Sequence, residues 1–461
     1  MTDSVKTITR EKIADIDRRL RPRIETGLYA KIDSDEKVKL INISDHGICF
    51  STTHRIKPKD LLATIELPSG CIQTKIKVRW ENSAGLNGCM LCGASFEKLD
   101  QKTLSMIRKY VISRQFKLFI TEVKDRLLRK HVLVFAKSFR DYLFGLVDLE
   151  RSASEGSLDE EELQKRLTDI NTRIVAEGEE LKGRIANKLL YDKIKREFRR
   201  LVSPWAFKSQ IMKRGFDKPK GYPGDYRTLE IIYDFETFSP HNDLGFYFDK
   251  YFLENPYADA VRNRKDILRE ILARSLRKKS GSIKVLNLAS GSCREIRELF
   301  EAKDKELLRK DILFSCVDWD EDASSFSNRE LQHLPANIRV DFIREDIITF
   351  TKDANFFEKN GRYDLVYSIG LADYLPDRVL KNLIKTSFEG LNRGGEFIIA
   401  HKDKEINFSH LPPEWFCDWV FIPRNEEDLL SLVRAAGLGD TVNRIERDSS
   451  RQIFFISLVK G

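Results

Sequence analysis

Long apolar runs are missing from this 461-residue chain; no stretch of roughly 18 consecutive apolar residues occurs, which argues against a membrane-spanning helix. The first residues, MTDSVKTITREKIADIDRR, lack the apolar centre of a signal peptide, so a cytoplasmic location is expected. Cysteine supplies no framework either. Seven residues, an odd count at irregular spacing, read as free thiols in a reducing compartment. Cys89 and Cys92 form a CxxC, but no second CxxC and no nearby histidine pair completes a zinc site, so no metal is expected. Nor is charge of one sign in real excess. The 80 basic residues mostly cancel against 72 acidic ones, and the net +8 gives no ground for a nucleic-acid partner.

What the chain does have is length and a globular balance, with 41% hydrophobic and 33% charged residues. It exceeds the roughly 250–300 residues at which single cores stop growing, so several domains are expected. Val38 to Phe50, Leu61 to Leu67, Ile72 to Trp80 and Gly88 to Phe96 are short β-rich runs between turn signals, as in a small β-barrel. From about Asp100 the period becomes helical, and one charged helix is expected through Gln115 and past Arg140, with Val123, Leu127 and Leu128 apolar. The polar break at Ser152 to Ser157, followed by Asp159 and Glu160, predicts a second long helix. Its apolar positions Leu163, Leu167, Ile170 and Ile174 share one face, consistent with an antiparallel helical pair. From Lys284 onward, continuous apolar runs alternate with helical stretches, which is an α/β pattern with helices on both sheet faces. The expected fold is thus multidomain α+β and α/β: a barrel over 1–115, a helical connector over 116–215 and a Rossmann-like domain with an N-terminal helical cap over 216–461.

Two motifs stand near the amino terminus. Arg18, Arg19 and Arg23 lie on a short arm, and Asn42-Ile43-Ser44-Asp45-His46-Gly47 follows at a strand-to-turn transition. Arginines on an arm can fork around phosphates and stack on bases, while Asn and Ser at a strand end can bond polar ligand edges. The pair resembles the RxxxR and [DN]xSxxG signatures of the PilZ domain, matched by Arg19 and Arg23 and by Asn42, Ser44 and Gly47. Cys92-Gly93-Ala94-Ser95-Phe96 is similar to that family's last barrel strand. The resemblance covers roughly residues 15 to 115. It implies cyclic di-GMP as the ligand, held by Arg18, Arg19, Arg23, Asn42, Ser44 and Gly47.

In the carboxy-terminal half, Val285 to Glu295 reads as a strand entering a nucleoside-binding turn. Ala289-Ser290-Gly291-Ser292 supplies the turn with a single glycine, Cys293 stands where glycine is frequent, and the motif alone suits an oxidoreductase nearly as well. Later residues separate the two. Asp318 ends the second strand, where a carboxylate accepts the ribose hydroxyls, with Asp320 in reserve. Asp346, with Ile347, ends the third strand, as adenine-binding residues do in class I methyltransferases. Tyr363 to Gly370 resembles the fourth strand beneath the reacting methyl, with Ser368 and Gly370 at the cofactor, and Gly394-Gly395 leads into the fifth. Gln452 to Val459 suits the antiparallel last strand. For each carboxylate the plain alternative is a helix cap. The resemblance implies S-adenosyl-L-methionine as cofactor, with Arg294 also in its site.

A narrower resemblance appears in Lys220-Gly221-Tyr222-Pro223-Gly224-Asp225-Tyr226, in Asn255-Pro256 with Val261-Arg262-Asn263-Arg264, in Ala289-Ser290-Gly291 with Arg294-Glu295, and in Ser368 to Leu371 with Asp373-Tyr374-Leu375. Over roughly residues 200 to 461 these are similar to the family assigned to synthesis of 3-hydroxypalmitic acid methyl ester. That similarity implies methyl transfer to the carboxylate of a small or fatty-acid-like acceptor. Arg262 or Arg264 would clamp the acid, and Tyr222, Asp225, Tyr226 and Tyr374 would border the reacting group. A plain turn is the alternative for the Tyr-Pro-Gly-Asp segment. Arg294 and Glu295 are expected to form a first-turn ion pair. Ala400-His401-Lys402 departs from the polar residues expected after the fifth strand. Two rivals stand beside this reading: a non-catalytic cyclic di-GMP signalling adaptor on a methyltransferase scaffold, and an enzyme methylating nitrogen or a protein. A homodimer through the helical connector is also expected.

Overall fold

The computed structural model describes residues 24–33, 36–53, 55–56, 60–82, 89–121, 126–185, 187–353, 355–406 and 412–461. Arg18, Arg19 and Arg23 lie outside the described residues. The chain divides into two compact units, Met1–Gln210 with Phe238–Tyr251 and Ile211–Thr237 with Phe252–Gly461. The division thus falls differently from the expected 1–115, 116–215 and 216–461, because the helices after the barrel cluster with it.

In the first unit, alternating apolar residues close a small barrel. Strands Tyr29–Ile32, Glu36–Ser44, Gly47–Thr52, Asp60–Leu67, Gly70–Asn82 and Met90–Phe96 pair into a closed ring, with Ile24–Glu25 added on Glu36–Ser44. Asp60–Leu67 alternates exposed and buried positions almost perfectly, as a strand with one face in a core should. Leu40, Ile43, Phe50, Ile65 and Ile76 fill the interior and are fully buried. The expected run from Val38 to Phe50 is two strands, broken at the Asp45–His46 turn.

Helix Gln101–Thr121 leaves the barrel, and helix Arg126–Glu155 follows as a separate element. Lys109 joins the two by donating to both Asp148 carboxylate oxygens at 2.7 Å. The next helix, Glu160–Arg184, starts where its chemistry dictates. The Asp159 side chain accepts the Glu162 N–H at 2.8 Å, acids fill the first turn, and Lys182 and Arg184 occupy the last. Leu163, Leu167 and Ile174 are buried on its inner face.

The second unit carries a seven-stranded sheet. Its strands in chain order are Ser282–Leu288, Asp311–Asp318, Ile338–Arg344, Tyr363–Ser368, Leu391–Lys402, Val442–Arg447 and Ile453–Val459. Their spatial order is third, second, first, fourth, fifth, seventh, sixth, and the seventh runs antiparallel to both neighbours. This is the strand order of the expected Rossmann-like domain, with an antiparallel last strand. Continuous apolar strands such as Tyr363–Ser368 are buried because cores form on both faces. The order reverses between the first and fourth strands, and in open α/β sheets ligands bind outside the carboxyl ends at that point.

Candidate functional site

The first strand runs into a turn of alternating left-handed residues, Ala289 at φ 57°, Gly291 at φ 54° and Cys293 at φ 50°. Side chains in that region carry strain, about 1–2 kcal/mol per residue, so the loop is held from outside. The Ser290 N–H donates to the Val317 carbonyl at 3.0 Å, and the Ser327 hydroxyl donates to the Gly291 carbonyl at 3.0 Å. The Gly291 N–H donates to Asp318 Oδ2 at 2.8 Å, and the Asp320 N–H donates to Asp318 Oδ1 at 2.9 Å. Each Asp318 oxygen thus has one backbone donor and a further lone pair for a ligand hydroxyl. Asp318 is 5% exposed, and burial raises its pKa above the usual aspartate value of 3.8. The Ser290 hydroxyl is buried without a hydrogen-bond partner among the described residues. A turn with an orphaned hydroxyl beside a doubly anchored carboxylate fits a nucleoside with ribose donors.

Trp319, which sequence reasoning passed over, follows Asp318 and is 48% exposed. Its ring centroid lies 6.3 Å from that of Tyr222. Lys220 donates to Asp320 Oδ1 at 2.9 Å and also pairs with Asp322, so the Tyr222 loop is fastened to the end of the second strand. Burial, then Asp318, Asp320 and Asp225, push the Tyr222 phenol well above its ordinary range. Asp346 is exposed and caps the short Ile347–Phe350 helix, its Oδ1 accepting the Ile348 and Thr349 N–H groups at 2.8 and 3.2 Å, while Ile347 is buried.

Asp225 is fully buried. It caps helix Tyr226–Asp234 and takes both terminal and internal nitrogens of Arg214, at 2.7 to 3.1 Å. Tyr226 packs its ring 5.4 Å from Phe326. The expected ion pair between Arg294 and Glu295 does not form. Arg294 binds Glu230, Asp234 and Glu298. Glu295, one position on, points into the core and accepts from Tyr367 at 2.8 Å and Asn287 at 2.9 Å. Consecutive helical positions face different ways, which separates them.

At the end of the fourth strand the Ser368 hydroxyl donates to the Leu288 carbonyl at 3.1 Å, tying it to the first strand. Gly370 adopts φ 81°, and a Cβ there would lie 2.8 Å from both terminal nitrogens of Arg264. The Arg264 guanidinium therefore lies directly over the strand end, with Asp373 Oδ2 at 3.6 Å. Arg262 is engaged elsewhere, donating to the Ile232 and Leu253 carbonyls and pairing with Asp259. The Tyr374 hydroxyl accepts the Trp419 indole N–H at 2.7 Å, and burial drives its pKa upward. Asp373, Tyr257, Trp419 and Lys402 stand around these groups; Tyr257 and Trp419 were passed over in sequence, whereas Asp373 entered only as part of a motif and Lys402 only as a departure after the fifth strand.

In the barrel, the Asn42 Oδ1 is buried without a partner among the described residues. The Ser44 hydroxyl donates to the Gly47 carbonyl and accepts the His46 N–H, both at 3.4 Å. Gly47 is required sterically, since a Cβ there would stand 2.0 Å from the Ala94 carbonyl oxygen.

No curated protein matches the chain. Among solved structures, magnesium protoporphyrin IX methyltransferase of Synechocystis PCC 6803, with bound S-adenosylmethionine, shares 13% identity over 44% of this chain and 83% of its own, at a TM-score of 0.33. The glycopeptide N-methyltransferase MtfA, complexed with S-adenosyl-L-homocysteine, shares 14% identity over 42% of this chain and 89% of its own, at 0.31. The inhibitor of motility of Bacillus subtilis shares 20% over 22% of this chain and 52% of its own, at 0.21. Residues 17–113 match the model of the PilZ domain, and the amino-terminal barrel is a PilZ domain.

Proposed function

We propose that the protein is a cyclic di-GMP-responsive, S-adenosylmethionine-dependent methyltransferase acting on the carboxylate of a small or fatty-acid-like acceptor, of the 3-hydroxy fatty acid methyl ester type. The cofactor is S-adenosyl-L-methionine and the regulatory ligand is cyclic di-GMP, taken by Arg18, Arg19, Arg23, Asn42, Ser44 and Gly47. The observation that carries the acceptor class is Arg264, a buried guanidinium laid over Gly370 at the carboxyl end of the fourth strand.

The cofactor supplies an electrophilic methyl group on a sulfonium. Asp318 holds the ribose hydroxyls, the Ala289 to Gly291 turn lets backbone approach, and Asp346 keeps its outer oxygen for a base amine. Trp319 and Tyr222 flank that site. Arg264 orients the acceptor carboxylate. With the cofactor bound, a carboxylate oxygen held there would take the methyl carbon as its bond to sulfur breaks, which would leave S-adenosylhomocysteine and a methyl ester. A carboxylate is ionised at neutral pH, so no strong base is needed, and positioning with exclusion of water does the catalytic work. Tyr226 and Tyr374 border the acceptor, and Asp225 fixes the loop that carries Tyr222.

The test is methyl transfer from labelled cofactor to an extract of bacterial acids, with and without cyclic di-GMP, followed by mass spectrometry of the product. A labelled methyl ester whose formation depends on the dinucleotide is expected. Label on nitrogen or on protein moves the activity to another acceptor. Equal rates with and without dinucleotide remove the regulation.

A further inference from the structure

The loop that carries Tyr222 has fixed feet and a lightly held tip. At one foot Lys218, in the left-handed region at φ 48°, donates its amine to the Asp418 carbonyl at 2.8 Å. At the other, buried Asp225 pairs with Arg214 and caps helix Tyr226–Asp234, and a Cβ on Gly224 would stand 3.0 Å from the Tyr374 hydroxyl. Residues 219–223 between them belong to no helix or strand. Two of the five, Pro219 and Pro223, have no N–H to donate. The Gly221 N–H bonds back to the Lys218 carbonyl at 2.8 Å, inside the same turn. Gly221 sits at φ 88°, and a Cβ there would meet nothing within 4 Å.

Side chains therefore hold the tip. Lys220 bridges Asp320, at 2.9 Å, and Asp322, and the Tyr222 ring lies beside that of Trp319. The two carboxylates differ in setting: Asp320 is buried, while the Asp322 side chain is 70% exposed. An ion pair open to water on one side adds little stability, and salt screens it. A stretch with few backbone bonds and one such bridge opens at a smaller free energy than the fold itself.

Beside the tip lies Asp318. Each of its oxygens accepts one backbone N–H and keeps a lone pair for a ligand hydroxyl, yet the residue is almost wholly covered. Burial, then Asp318 and Asp320, raise the Tyr222 pKa, which puts the phenol close to both carboxylates. Gly291 and Asp320, which bond Asp318, are themselves held, Gly291 by Ser327 and Asp320 as the cap of helix Glu321–Glu330. The Tyr222 tip is the neighbour free of such backbone ties, so a ribose reaches Asp318 when the tip swings away.

We infer that residues 219–223 form a cover over the proposed ribose site, and that Lys220 is the positioning residue that holds it shut through Asp320 and Asp322. The inference rests on the cofactor reading of Asp318 and adds a step to it. The nucleoside enters while Lys220 is released, and re-forming the bridge encloses it with Tyr222 alongside. Because the bridge also exists in the free protein, it slows entry as well as exit.

The experiment is titration of S-adenosylhomocysteine into the full-length protein by calorimetry, with association and dissociation rates from stopped-flow tryptophan fluorescence, in wild type and Lys220→Ala. In Lys220→Ala both rates rise about threefold to tenfold, and the dissociation constant changes less than either. S-adenosylhomocysteine has no net charge at neutral pH, so salt acts on the bridge: it raises both wild-type rates and leaves those of Lys220→Ala in place. A loop that merely props the site behaves otherwise, since its loss speeds dissociation alone. Faster dissociation with association unchanged or slower, or both rates unchanged, overturns the inference. Should Lys220→Ala fail to fold, Asp322→Asn, at an exposed side chain, releases one arm of the bridge and is held to the same paired rise. No calorimetric heat with the wild type removes the cofactor reading and the cover with it, whereas binding with unaltered rates in the variants removes the cover alone.

Discussion

The Gly291 amide donates to Asp318 Oδ2 across 2.8 Å, so the carboxylate proposed to hold a ribose also braces the loop proposed to hold the rest of the nucleoside. Removing it takes away both. Hydrogen bonds to a charged group are worth about 1.5–3 kcal/mol each, so Asp318→Ala is expected to weaken S-adenosylhomocysteine binding by roughly tenfold or more. Calorimetric titration measures this, and an unchanged dissociation constant removes Asp318 from the cofactor site.

The same carboxylate sets a pH dependence. Burial raises its pKa above the usual 3.8, and ribose hydroxyls donate to the ionised form. Cofactor affinity should therefore fall on acidification, starting above the ordinary aspartate range. Its folding contribution has the opposite sense. Between the unfolded and the raised folded pKa the native state binds more protons, so stability from this residue is full below the window and lost as pH rises through it. Binding isotherms from pH 4 to 7 in wild type and Asp318→Asn separate the effects; identical profiles refute the assignment.

Much of the fold around the proposed site was legible because it follows the order of the strands. A run such as Val285 to Leu288 ending in small residues announces a strand and a turn, and Asp318 at the end of the next run announces its partner. The sixth strand, Val442–Arg447, went unseen because it is a short edge strand rich in charged residues, without an apolar run. Asp346 looks the same in sequence as helix cap or as ligand, and here it caps. Arg262 and Arg264 look interchangeable in sequence, but they occupy different faces of one helix, and only the fold shows which meets Gly370. Lys402 and Asp373 come together from the fifth strand and the loop after the fourth, a pairing that spacing does not encode.

Gly370 tests the placement of Arg264. In Gly370→Ala the new Cβ falls 2.8 Å from the guanidinium nitrogens and the backbone must hold φ 81° with a side chain. The backbone strain is about 1–2 kcal/mol. Methyl transfer should drop sharply with S-adenosylhomocysteine affinity retained, because the displaced group serves the acceptor. Equal kcat in variant and wild type argues against Arg264 as the clamp.

The two PilZ motifs should fail in different ways. Gly47→Ala drives a methyl group to 2.0 Å from the Ala94 carbonyl oxygen, inside a strand pair whose spacing is fixed, so the barrel loses about 1–3 kcal/mol by overpacking. Arg19→Ala is expected to abolish cyclic di-GMP binding with unfolding unchanged. Denaturant titration beside dinucleotide titration distinguishes them, and retained binding in Arg19→Ala takes that arginine out of the site.

Arg108 connects the Asn42 to Gly47 turn to the helices of its own unit. Its Nε lies 3.5 Å from Asp45 Oδ2 and its guanidinium pairs with Glu150. Glu150 also receives the Trp205 indole at 2.8 Å and Lys208 at 3.1 Å, and Lys208 reaches Asp243 at 2.9 Å. These groups are mostly buried, so Arg108→Ala, which leaves Glu150 with Lys208 and Trp205 and takes one cation from Asp45, should cost about 1–3 kcal/mol. In a double-mutant cycle with Glu150→Ala, the pair should be less damaging than the sum of its members by about 0.5–3 kcal/mol. Because Asp45 sits inside the ligand motif, dinucleotide affinity should change in Arg108→Ala as well. Zero coupling in the cycle reduces the chain of charges to independent pairs, and coupling without any change in dinucleotide affinity confines it to folding.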